Sequence, residues 1–490
     1  MSTTSAGSAE TNLPQTGPSA FDDHHPPQRE LLDDCVHCGF CLPTCPTYQL
    51  WGEEMDSPRG RIYLMNLADK GEIDLDGPFT EHIDACLGCL ACVTACPSGV
   101  QYDKLIESVR PQIERNVRRK PADRLLREMI FALFPYKRRL RAAAVPGALY
   151  QQLRRLGPVR TLAAKLPGRL GALESLLPPV SLREAFARLP EHTPAVGDRR
   201  ASVALLTGCV QDVFFHRVNA ATVRVLAAEG CDVHAPRAQQ CCGALELHAG
   251  REDDALARAR REIEVVGALD VDYIVTNVAG CGSSMKDYGH LLADDPEWAE
   301  RAKVFSEKVR DVHEVLDTLG PRAPRHPVRA RVAYHDACHL AHGQQVRSQP
   351  RSVLRTIPGL EVVDIPEAAI CCGSAGIYNI VMPHPASELG DRKATNIRSV
   401  KPDVVATANP GCLLQIGKHL AAPDMDGKTA DGRAQEGTPA TARLADTRGI
   451  RRLRGRASPD GSVPDRSGMP LLHPVQLLDA SIRGVPVPRT

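Results

Sequence analysis

The sequence has little that would place it in a membrane or on a nucleic acid. No uninterrupted apolar run approaches the roughly 18 residues that a membrane-spanning helix needs. The amino-terminal region lacks an apolar segment flanked by basic residues, so we expect no secretory signal. Its 60 lysines and arginines are balanced by 59 acidic residues, which gives no basis for general nucleic-acid binding. We expect a cytoplasmic protein, either soluble or held peripherally on the inner face of the cell membrane.

The chain also lacks the glycine-rich signatures of nucleotide and hydrolase sites. There is no Gly-x-Gly-x-x-Gly segment opening a βαβ unit, no Gly-x4-Gly-Lys-Ser/Thr loop and no Gly-x-Ser-x-Gly elbow. Hydride chemistry belongs to flavin and nicotinamide cofactors, and the sequence offers no visible site for either. We therefore expect no catalytic residue for substrate oxidation in this chain.

Cysteine, by contrast, is abundant. The 17 cysteines lie mostly in short clusters, which is typical of metal sites in a reducing compartment rather than of disulfides. Residues 35–46 and 86–97 both read Cys-x2-Cys-x2-Cys-x3-Cys-Pro, the spacing that holds a [4Fe–4S] cube. Zinc knuckles and a disulfide framework are the alternatives, but zinc sites rarely use a run of this form. The sequence predicts two [4Fe–4S] clusters.

The fourth cysteine of each motif is predicted to bind the cluster of the other motif. In paired sites the first three thiolates surround one cube, while the fourth completes the neighbouring cube. The predicted ligand sets are Cys35, Cys38, Cys41 and Cys96 for one cluster, and Cys86, Cys89, Cys92 and Cys45 for the other.

The pattern of apolar and polar residues predicts a multidomain protein. An α-helical two-cluster ferredoxin domain, with helices at 58–68 and 102–116, precedes a helical linker and a duplicated α/β domain. The predicted segments are a disordered tail at 1–26, the ferredoxin-like domain at 27–115, a basic helical linker at 116–198, α/β repeats at 199–310 and 311–420, a disordered insertion at 421–469 and a closing segment with a short helix at 470–490.

The linker is strongly basic. Residues 118–169 hold fourteen lysines and arginines but only two acids, and apolar residues recur at helical intervals. Such a region can lie on an anionic membrane surface or dock an acidic partner. Because charge runs usually just solvate a helix face, we favour a linker packed on its own domains.

An internal repeat organises the second half of the chain. Strands are expected at 202–206 and 273–275 in the first copy and at 331–334 and 404–406 in the second, with helices such as 217–229 between them. Each copy offers one cysteine, then Cys-Cys-Gly, then another cysteine, at offsets of 129, 130 and 131 residues. The predicted metal ligands are Cys209, Cys241, Cys242 and Cys281 in the first copy, and Cys338, Cys371, Cys372 and Cys412 in the second.

Four thiolates per copy are enough for one tetrahedral zinc ion or one iron–sulfur cluster. The first cysteine of each copy follows a strand, where α/β sheets carry functional loops, so we expect the paired site there, between the copies. Buried structural cysteines are the alternative, and Cys231, which has no repeat partner, is assigned to that class.

The repeat resembles the Cys-Cys-Gly domain of heterodisulfide reductase B-type subunits. In that family an initial cysteine, a Cys-Cys-Gly segment and a final Cys-x2-Cys hold an unusual [4Fe–4S] cluster. Here the last element is single, because Val278 and Asn409 stand where a cysteine would precede Cys281 and Cys412. A conventional cluster, a labile cluster and zinc are the open alternatives for each copy.

Several longer segments carry a family pattern, among them Cys-Val-His-Cys-Gly-Phe-Cys at 35–41, Pro-Arg-Gly-Arg-Ile-Tyr-Leu at 58–64, Tyr-His-Asp-Ala-Cys-His-Leu-Ala-His-Gly at 334–343, Cys-Cys-Gly-Ser-Ala-Gly-Ile-Tyr-Asn at 371–379 and Asn-Pro-Gly-Cys-Leu at 409–413. With these segments most of the chain, about 31–418 together with 472–479, resembles the iron–sulfur subunits of bacterial glycolate oxidases. The resemblance implies a complex in which flavin-binding glycolate oxidase subunits oxidise glycolate to glyoxylate. This subunit would then carry electrons toward a membrane acceptor such as quinone.

Other functions stay open at this point. One is the iron–sulfur subunit of a related lactate or glycerol-3-phosphate dehydrogenase. Another is a heterodisulfide or thiol reductase with the Cys-Cys-Gly sites as its catalyst, and a third is a zinc-bound scaffold without a redox role.

Several other residues are candidates for roles around the metals. His335, His339 and His342 flank the first cysteine of the second repeat and could be ligands, donors to ligands or proton carriers. We favour a hydrogen-bonded packing role for each of them. Arg59 and Arg61 could neutralise cluster charge or form ordinary salt bridges.

Overall fold

The computed structural model describes residues 18–163, 165–166, 168–421 and 469–488. Its first domain is helical and encloses its own core. Met65, Ile83 and Leu105 are completely buried at the centre of this core. The helices are α1 Arg29–Asp33, α2 Pro46–Trp51, α3 Pro58–Asp69, α4 Pro78–Ala85, α5 Ala91–Ala95 and α6 Tyr102–Asn116, with single 3-10 turns at Leu42–Thr44 and Glu54–Asp56.

Local sequence explains where the helices of this domain begin. Helices α2, α3 and α4 each start at a proline, whose fixed φ suits the first helical position. Ser57 caps α3 by accepting a hydrogen bond from the Gly60 amide at 3.0 Å. The helices predicted at 58–68 and 102–116 are confirmed, the first with one additional residue.

The prediction of a disordered tail at 1–26 is wrong for its last nine residues. Residues 1–17 lie outside the described part of the chain. Phe21 is 6% exposed and packs edge-on against Phe79, with 6.2 Å between ring centroids. The Asp22 carboxylate accepts two hydrogen bonds from Arg115, each 3.0 Å long. One aromatic side chain and one ion pair therefore fix a segment whose composition is mostly polar.

The linker is a series of helices that packs against both neighbours. Lys137 donates to the Thr207 hydroxyl at 2.8 Å, and Arg141 pairs with Asp212 at the same distance. On the other side, Arg127 pairs with Glu114 of α6 at 3.3 Å. The helices are α7 Pro121–Leu133, α8 Lys137–Leu153, α9 Gly157–Ala163, α10 Gly168–Ser175 and α11 Leu182–Ala185.

The first repeat contains a five-stranded sheet in the order β1-β3-β2-β4-β5, parallel except for β1. The strands are β1 His192–Thr193, β2 Ala201–Leu205, β3 Cys231–His234, β4 Tyr273–Thr276 and β5 Val309–Asp311. The helices are α12 Val210–Phe214, α13 His216–Ala228, α14 Ala244–His248, α15 Glu252–Val265, α16 Ala279–Lys286, α17 Tyr288–Leu291, α18 Ala299–Lys308 and α19 Val312–Leu319.

The second repeat contains a fully parallel four-stranded sheet in the order β7-β6-β8-β9. The strands are β6 Ala330–Tyr334, β7 Leu360–Asp364, β8 Val404–Ala406 and β9 Leu471–Leu472. The helices are α20 Gln349–Arg355, α21 Tyr378–Val381, α22 Pro383–Ser399, α23 Pro410–Ala421 and α24 Pro474–Arg483, with a π-helical turn at His339–Gly343. The strands and helices predicted within both repeats are present.

The boundaries predicted for the repeats need correction. Strand β5 crosses the predicted boundary at 310/311, pairs with β4 and leads into α19. The closing segment follows the same plan, because β9 pairs with β8 and leads into α24. Both helices begin with a capping box, at Asp311 and His473. Residues 469–488 are therefore the end of the second repeat, and the predicted insertion, of which 422–468 lie outside the described residues, interrupts that repeat.

The two repeats share a continuous apolar core. Val203 and Leu205 of the first sheet, Val332 of the second sheet and Leu477 of α24 belong to the same buried cluster. A bidentate ion pair joins Arg224 of α13 to Asp479 of α24 at 2.8 and 2.7 Å. The duplicated half is therefore a single body, on which the linker and the ferredoxin domain pack.

Candidate metal centres

The two ferredoxin motifs adopt the same loop conformation. His37 and Gly39 in the first motif and Gly88 and Leu90 in the second all have positive φ, between 54° and 84°. These left-handed residues turn the chain between consecutive cysteines, so that three thiols face a common space. The Gly88 amide donates to the Cys86 sulfur at 3.3 Å, and such N–H groups stabilise a thiolate.

The eight cysteines of the motifs line two neighbouring cavities of about 410 and 300 Å³. Their donor sets suit iron–sulfur cubes, because each cavity receives three thiols from one motif and the fourth thiol from the other. Cys92 lies in the wall of both cavities. The outer cavity is lined by Cys35, Cys38, Cys41 and Cys96, and the inner cavity by Cys45, Cys86, Cys89 and Cys92.

The two cavities differ in exposure. Cys38 of the outer cavity is exposed, whereas every cysteine assigned to the inner cavity is buried. Burial raises the pKa of Cys89 and Cys92 well above the usual value of a thiol. Thiolates in the inner cavity therefore need compensation by positive charge or by a bound metal.

Arg61 provides positive charge beneath the inner cavity. Its side chain is 1% exposed and donates to the Asp56 carbonyl at 2.6 Å and to the His82 carbonyl at 2.7 Å. Burial alone would raise the pKa of Cys86, but the charges of Arg61 and Arg110 outweigh it and hold that pKa below its usual value. Arg61 thus neutralises thiolate charge and also forms a salt bridge with the Asp56 carboxylate at 3.2 Å.

Arg59 has a mainly structural role. It pairs with Glu54 through two hydrogen bonds of 2.6 and 3.0 Å and donates to the His37 carbonyl at 3.0 Å. Since its side chain remains 27% exposed, water screens its charge.

Each Cys-Cys-Gly quartet gathers at the carboxyl ends of parallel strands within its own repeat, so the expectation of a site between the copies is wrong. In the first repeat the sulfurs of Cys209 and Cys241 are 3.5 Å apart, and Cys242 interacts with Cys281. In the second repeat the sulfurs of Cys338 and Cys371 are 4.0 Å apart. Cys372 contacts Cys412 there. The separation follows from topology, because each sheet brings its own loops together.

A glycine is required after each Cys-Cys pair. Gly243 and Gly373 have φ values of 82° and 88°. A Cβ at Gly373 would lie 2.5 Å from the Ala386 carbonyl oxygen, and one at Gly243 would lie 3.0 Å from the Ala255 carbonyl oxygen. The turn therefore packs closely against α15 in the first repeat and against α22 in the second.

Comparison with known sequences identifies these parts. Residues 31–100 match the 4Fe-4S dicluster domain family, and residues 203–286 and 332–417 match the cysteine-rich domain family. Residues 122–177 match the family described as the linker region of the glycolate oxidase iron-sulfur subunit. A probable glycolate oxidase iron-sulfur subunit from Bacillus subtilis is 39% identical over 81% of this chain and 91% of its own length. This chain belongs to the glycolate oxidase iron–sulfur subunit family.

Other relatives agree with this family assignment. The glycolate oxidase iron-sulfur subunit of Escherichia coli is 35% identical over 79% of this chain and 90% of its own length. Lactate utilization protein A of Geobacillus thermodenitrificans is 32% identical over 44% of this chain and 91% of its own length. The chain is an iron–sulfur electron-transfer subunit with a [4Fe–4S] dicluster domain. Within the described ranges, no helix combines the length and apolarity needed to cross a membrane.

The two Cys-Cys-Gly sites of this family member have different neighbours. In the first repeat, Cys209 packs with Leu140 of the linker helix α8. In the second repeat, Cys338 and Cys371 pack with Cys89 of the inner ferredoxin cavity. The second site therefore adjoins the dicluster domain, while the first lies under the linker.

The three histidines around Cys338 differ in their hydrogen-bond partners. His342 is a hydrogen-bonded packing residue, as predicted, since the Thr94 hydroxyl lies 2.7 Å from its Nδ1 and the Ala369 carbonyl 3.2 Å from its Nε2. His339 has its Nδ1 3.6 Å from the Cys338 sulfur. For His335 the favoured packing role is wrong, because neither ring nitrogen has a hydrogen-bond partner among the described residues.

The contacts of Tyr102 and Asn409 with cysteine sulfurs were not predicted from the sequence. The Tyr102 hydroxyl donates to the Cys86 sulfur at 3.5 Å, and the Asn409 amide donates to the Cys412 sulfur at the same distance. Tyr102 has no signal beyond its place at the start of a helix. Asn409 stands three residues before Cys412, where a Cys-x2-Cys pattern would place a cysteine, and this spacing is the signal for its proximity to the metal site.

Proposed function

We propose that this chain is the electron-transfer subunit of a flavin-dependent glycolate oxidase. It receives electrons from flavin-binding partner subunits that oxidise glycolate to glyoxylate, and it passes them toward a membrane acceptor such as quinone. The observation that carries the proposal is the pair of adjoining thiol-lined cavities, one open to the surface at Cys38 and the other buried. Iron–sulfur clusters bound in these cavities supply one-electron storage.

The ligand assignment follows the walls of the two cavities. Cys35, Cys38, Cys41 and Cys96 hold the outer cluster, and Cys45, Cys86, Cys89 and Cys92 hold the inner cluster. The protein excludes water from the inner set and leaves an edge of the outer set accessible. This arrangement favours electron exchange between the outer cluster and a partner, and it keeps water away from the inner cluster.

The surface around the outer cavity suits a protein partner. Val36 and Phe40, which flank Cys38, are 67% and 66% exposed, and Tyr63 nearby is 47% exposed. Exposed apolar side chains grouped around a functional group often mark an interaction surface. We assign this patch to the docking of the flavin-binding subunit.

Substrate chemistry belongs to the partner in this proposal. A flavin accepts two electrons from a 2-hydroxy acid, and this chain takes them on singly. Glycolate is favoured because two relatives that align over about four-fifths of this chain, and over 91% and 90% of their own length, carry that name. Lactate is the second candidate, supported by the lactate utilization relative that aligns over 44% of the chain.

The test is co-expression with candidate flavin-binding subunits, followed by dye-reduction assays with glycolate, lactate and glycerol-3-phosphate. The variant Cys38→Ser should lose one iron–sulfur centre and glycolate-dependent dye reduction through this chain, while the partner's flavin is still reduced by glycolate. The control is Cys231→Ala, a buried cysteine of β3 that belongs to none of the quartets, which should retain both centres. Unchanged turnover in Cys38→Ser would overturn the relay function, and a preference for lactate would overturn the substrate assignment.

A further inference from the structure

His335 is a buried histidine without a hydrogen-bond partner. It follows strand β6, is 1% exposed, and both of its ring nitrogens lack partners among the described residues. A buried imidazole with two unsatisfied nitrogens is costly, because at least one N–H group and one lone pair have lost water without compensation. Such an arrangement requires an explanation, and a bound metal ion is one that satisfies a ring nitrogen directly.

The thiols that face His335 are suitable companions for a metal. One ring nitrogen of His335 and the sulfurs of Cys372 and Cys412 all lie within 4.8 Å of one another, and all three residues are buried. Ligands around one tetrahedral metal atom at metal–sulfur and metal–nitrogen distances of about 2.3 and 2.0 Å are separated by roughly 3.5–4 Å. The three donors therefore fit one metal atom after small side-chain movements.

The first repeat cannot form the same set. At the offset of 129 residues that relates Cys338 to Cys209, the position of His335 is occupied by Leu206, which has no donor atom. The helix that follows the Cys-Cys-Gly turn also differs in charge. Ala386 of α22, which approaches Gly373, is equivalent to Ala255 of α15, which approaches Gly243. At the same offset, Lys393 of α22 is equivalent to Glu262 of α15.

Lys393 adds to this difference between the repeats. Its ammonium group is held by the Glu367 and Ala368 carbonyls at 2.5 and 3.3 Å, and its side chain is almost completely buried. A fixed positive charge there favours thiolates in the second quartet. The second site therefore combines a neutral nitrogen donor with a compensating cation, whereas the first has neither at these positions.

We propose that His335 is a metal ligand of the second Cys-Cys-Gly site, together with Cys372 and Cys412. The second site is a mixed thiolate–imidazole centre and the first is an all-thiolate centre, although the two arose as a repeat. If the metal is the iron of a cluster, replacing an anionic thiolate ligand by neutral imidazole raises its reduction potential. If it is zinc, the site is redox-silent. The proposal concerns metal binding by this chain alone and is independent of the flavin partner and its substrate.

The direct test is spectroscopic and uses the full chain purified without oxygen. Zinc-edge X-ray absorption shows a nitrogen in the metal shell if zinc is bound, and pulsed EPR of the reduced protein shows a strong nitrogen coupling if a cluster is bound. Labelling histidine with ¹⁵N should change that coupling. If neither zinc nor a cluster showed a histidine nitrogen among its ligands, the proposal would be overturned. This test needs no variant, so it does not depend on a variant folding.

Matched variants provide the second test. His335→Ala should lose the metal of the second site, whereas His335→Cys should retain metal and lose only the nitrogen signal. His342→Gln is the control, because that histidine is already satisfied by hydrogen bonds and should keep both metal and signal. Full metal content in His335→Ala with an unchanged nitrogen signal would refute the role of His335, and an equal loss in His342→Gln would show that the effect is structural.

Discussion

At the scale of single residues, the metal centres depend on how buried charge is balanced. The inner cavity gathers four buried thiols, and its wall includes the buried cation Arg61, whose Nη1 lies 4.0 Å from the Cys45 sulfur. Its guanidinium is fixed by the Asp56 and His82 carbonyls, so it cannot move away when the charge of the cavity changes. A fixed cation stabilises additional negative charge, and cluster reduction adds such charge.

Replacing Arg61 by methionine should lower the reduction potential of the inner centre. Methionine keeps most of the aliphatic volume but removes a positive charge that contributes about 1–2 kcal/mol at an effective dielectric constant near 20. For one electron this corresponds to a shift of roughly 40–90 mV. An EPR-monitored redox titration measures it. Arg59→Met is the control, with a smaller shift at the outer centre because Arg59 is partly exposed. Equal shifts of the reduction potential in both variants would contradict the claim that a buried arginine acts more strongly on its centre than an exposed one.

The sequence was informative about ligands and less so about their surroundings. Cysteine spacing predicts both ferredoxin quartets, because the loop between consecutive cysteines is short and local. The sequence offers Arg61 only as one of two arginines that could neutralise cluster charge, and it does not single out Tyr102 or Lys393. The roles of these three residues arise from helices packed against the cysteine loops. His335 was visible beside Cys338, but only the tertiary structure shows that its ring lacks other partners.

At the scale of elements, the position of α3 is set by a close approach of backbones. A Cβ on Gly60 would lie 2.0 Å from the Glu54 carbonyl oxygen and 3.0 Å from the Met55 Cα. The turn that precedes α3 therefore folds directly over its first residues, and this brings Asp56 to Arg61. The glycine in the Pro-Arg-Gly-Arg segment is thus a packing requirement of the inner cavity.

Gly60→Ala should destabilise the ferredoxin domain even though alanine favours helices. The clash with backbone atoms should cost about 1–3 kcal/mol, which exceeds the gain of about 0.5–1 kcal/mol in helix propensity. Gly147→Ala in α8 is the matched control, because its Cβ would meet only the Val180 side chain at 3.6 Å. Thermal unfolding should show a lower midpoint for the first variant and an equal or higher one for the second. If both substitutions raised the unfolding midpoint, the close backbone contact at Gly60 would be refuted.

Helix α6 carries an acidic side chain into the contact with the first repeat. Glu107 lies beside the ion pair of Lys104 and Asp287, and one of its oxygens is 3.9 Å from His248 Nδ1. Burial and the nearby Asp287 carboxylate raise the pKa of Glu107 to about 8. The native protein therefore keeps a proton on Glu107 that the unfolded chain releases near pH 4.5.

This shift predicts a pH dependence of stability. The contribution of Glu107 is most favourable below about pH 4.5 and is lost progressively as the pH rises toward 8, because the unfolded state binds fewer protons over that window. Glu107→Gln should therefore gain stability relative to the wild type as the pH rises from 5 to 8, by at least about 1 kcal/mol. Unfolding midpoints across this range measure the effect. The exposed residue Glu300 provides the control Glu300→Gln, and parallel curves for wild type and Glu107→Gln would contradict the assignment.

Regular elements were predictable where periodicity was local. The helices at 58–68 and 102–116 and the strands β2, β4, β6 and β8 were predicted to within a few residues. The repeat ends were not, because β9 and α24 follow an interruption of the second copy and carry no cysteine to mark their register. Their equivalence to β5 and α19 appears only from strand pairing and helix capping.

At the scale of the whole molecule, sequence repetition hides an asymmetry. The ferredoxin domain contacts the first repeat through Arg110, which donates to the His248 and Cys86 carbonyls at 2.8 and 2.6 Å. Its cysteine loop nevertheless packs against the second quartet, where Cys89 joins Cys338 and Cys371. The first quartet faces the linker helix α8 instead. Two sites of similar sequence therefore lie at unequal distances from the dicluster domain.

This asymmetry predicts different effects of equivalent substitutions. Cys371→Ser and Cys241→Ser alter the same position of the two repeats, so a general loss of folding would affect both in a similar way. Only Cys371→Ser should change the EPR line shape and the reduction potential of the inner ferredoxin-type centre, because only that thiol packs beside Cys89. Metal analysis should show that each variant loses the metal of its own quartet. If Cys241→Ser perturbed the inner centre as strongly, communication would spread through the shared core of the repeats rather than through the direct contact.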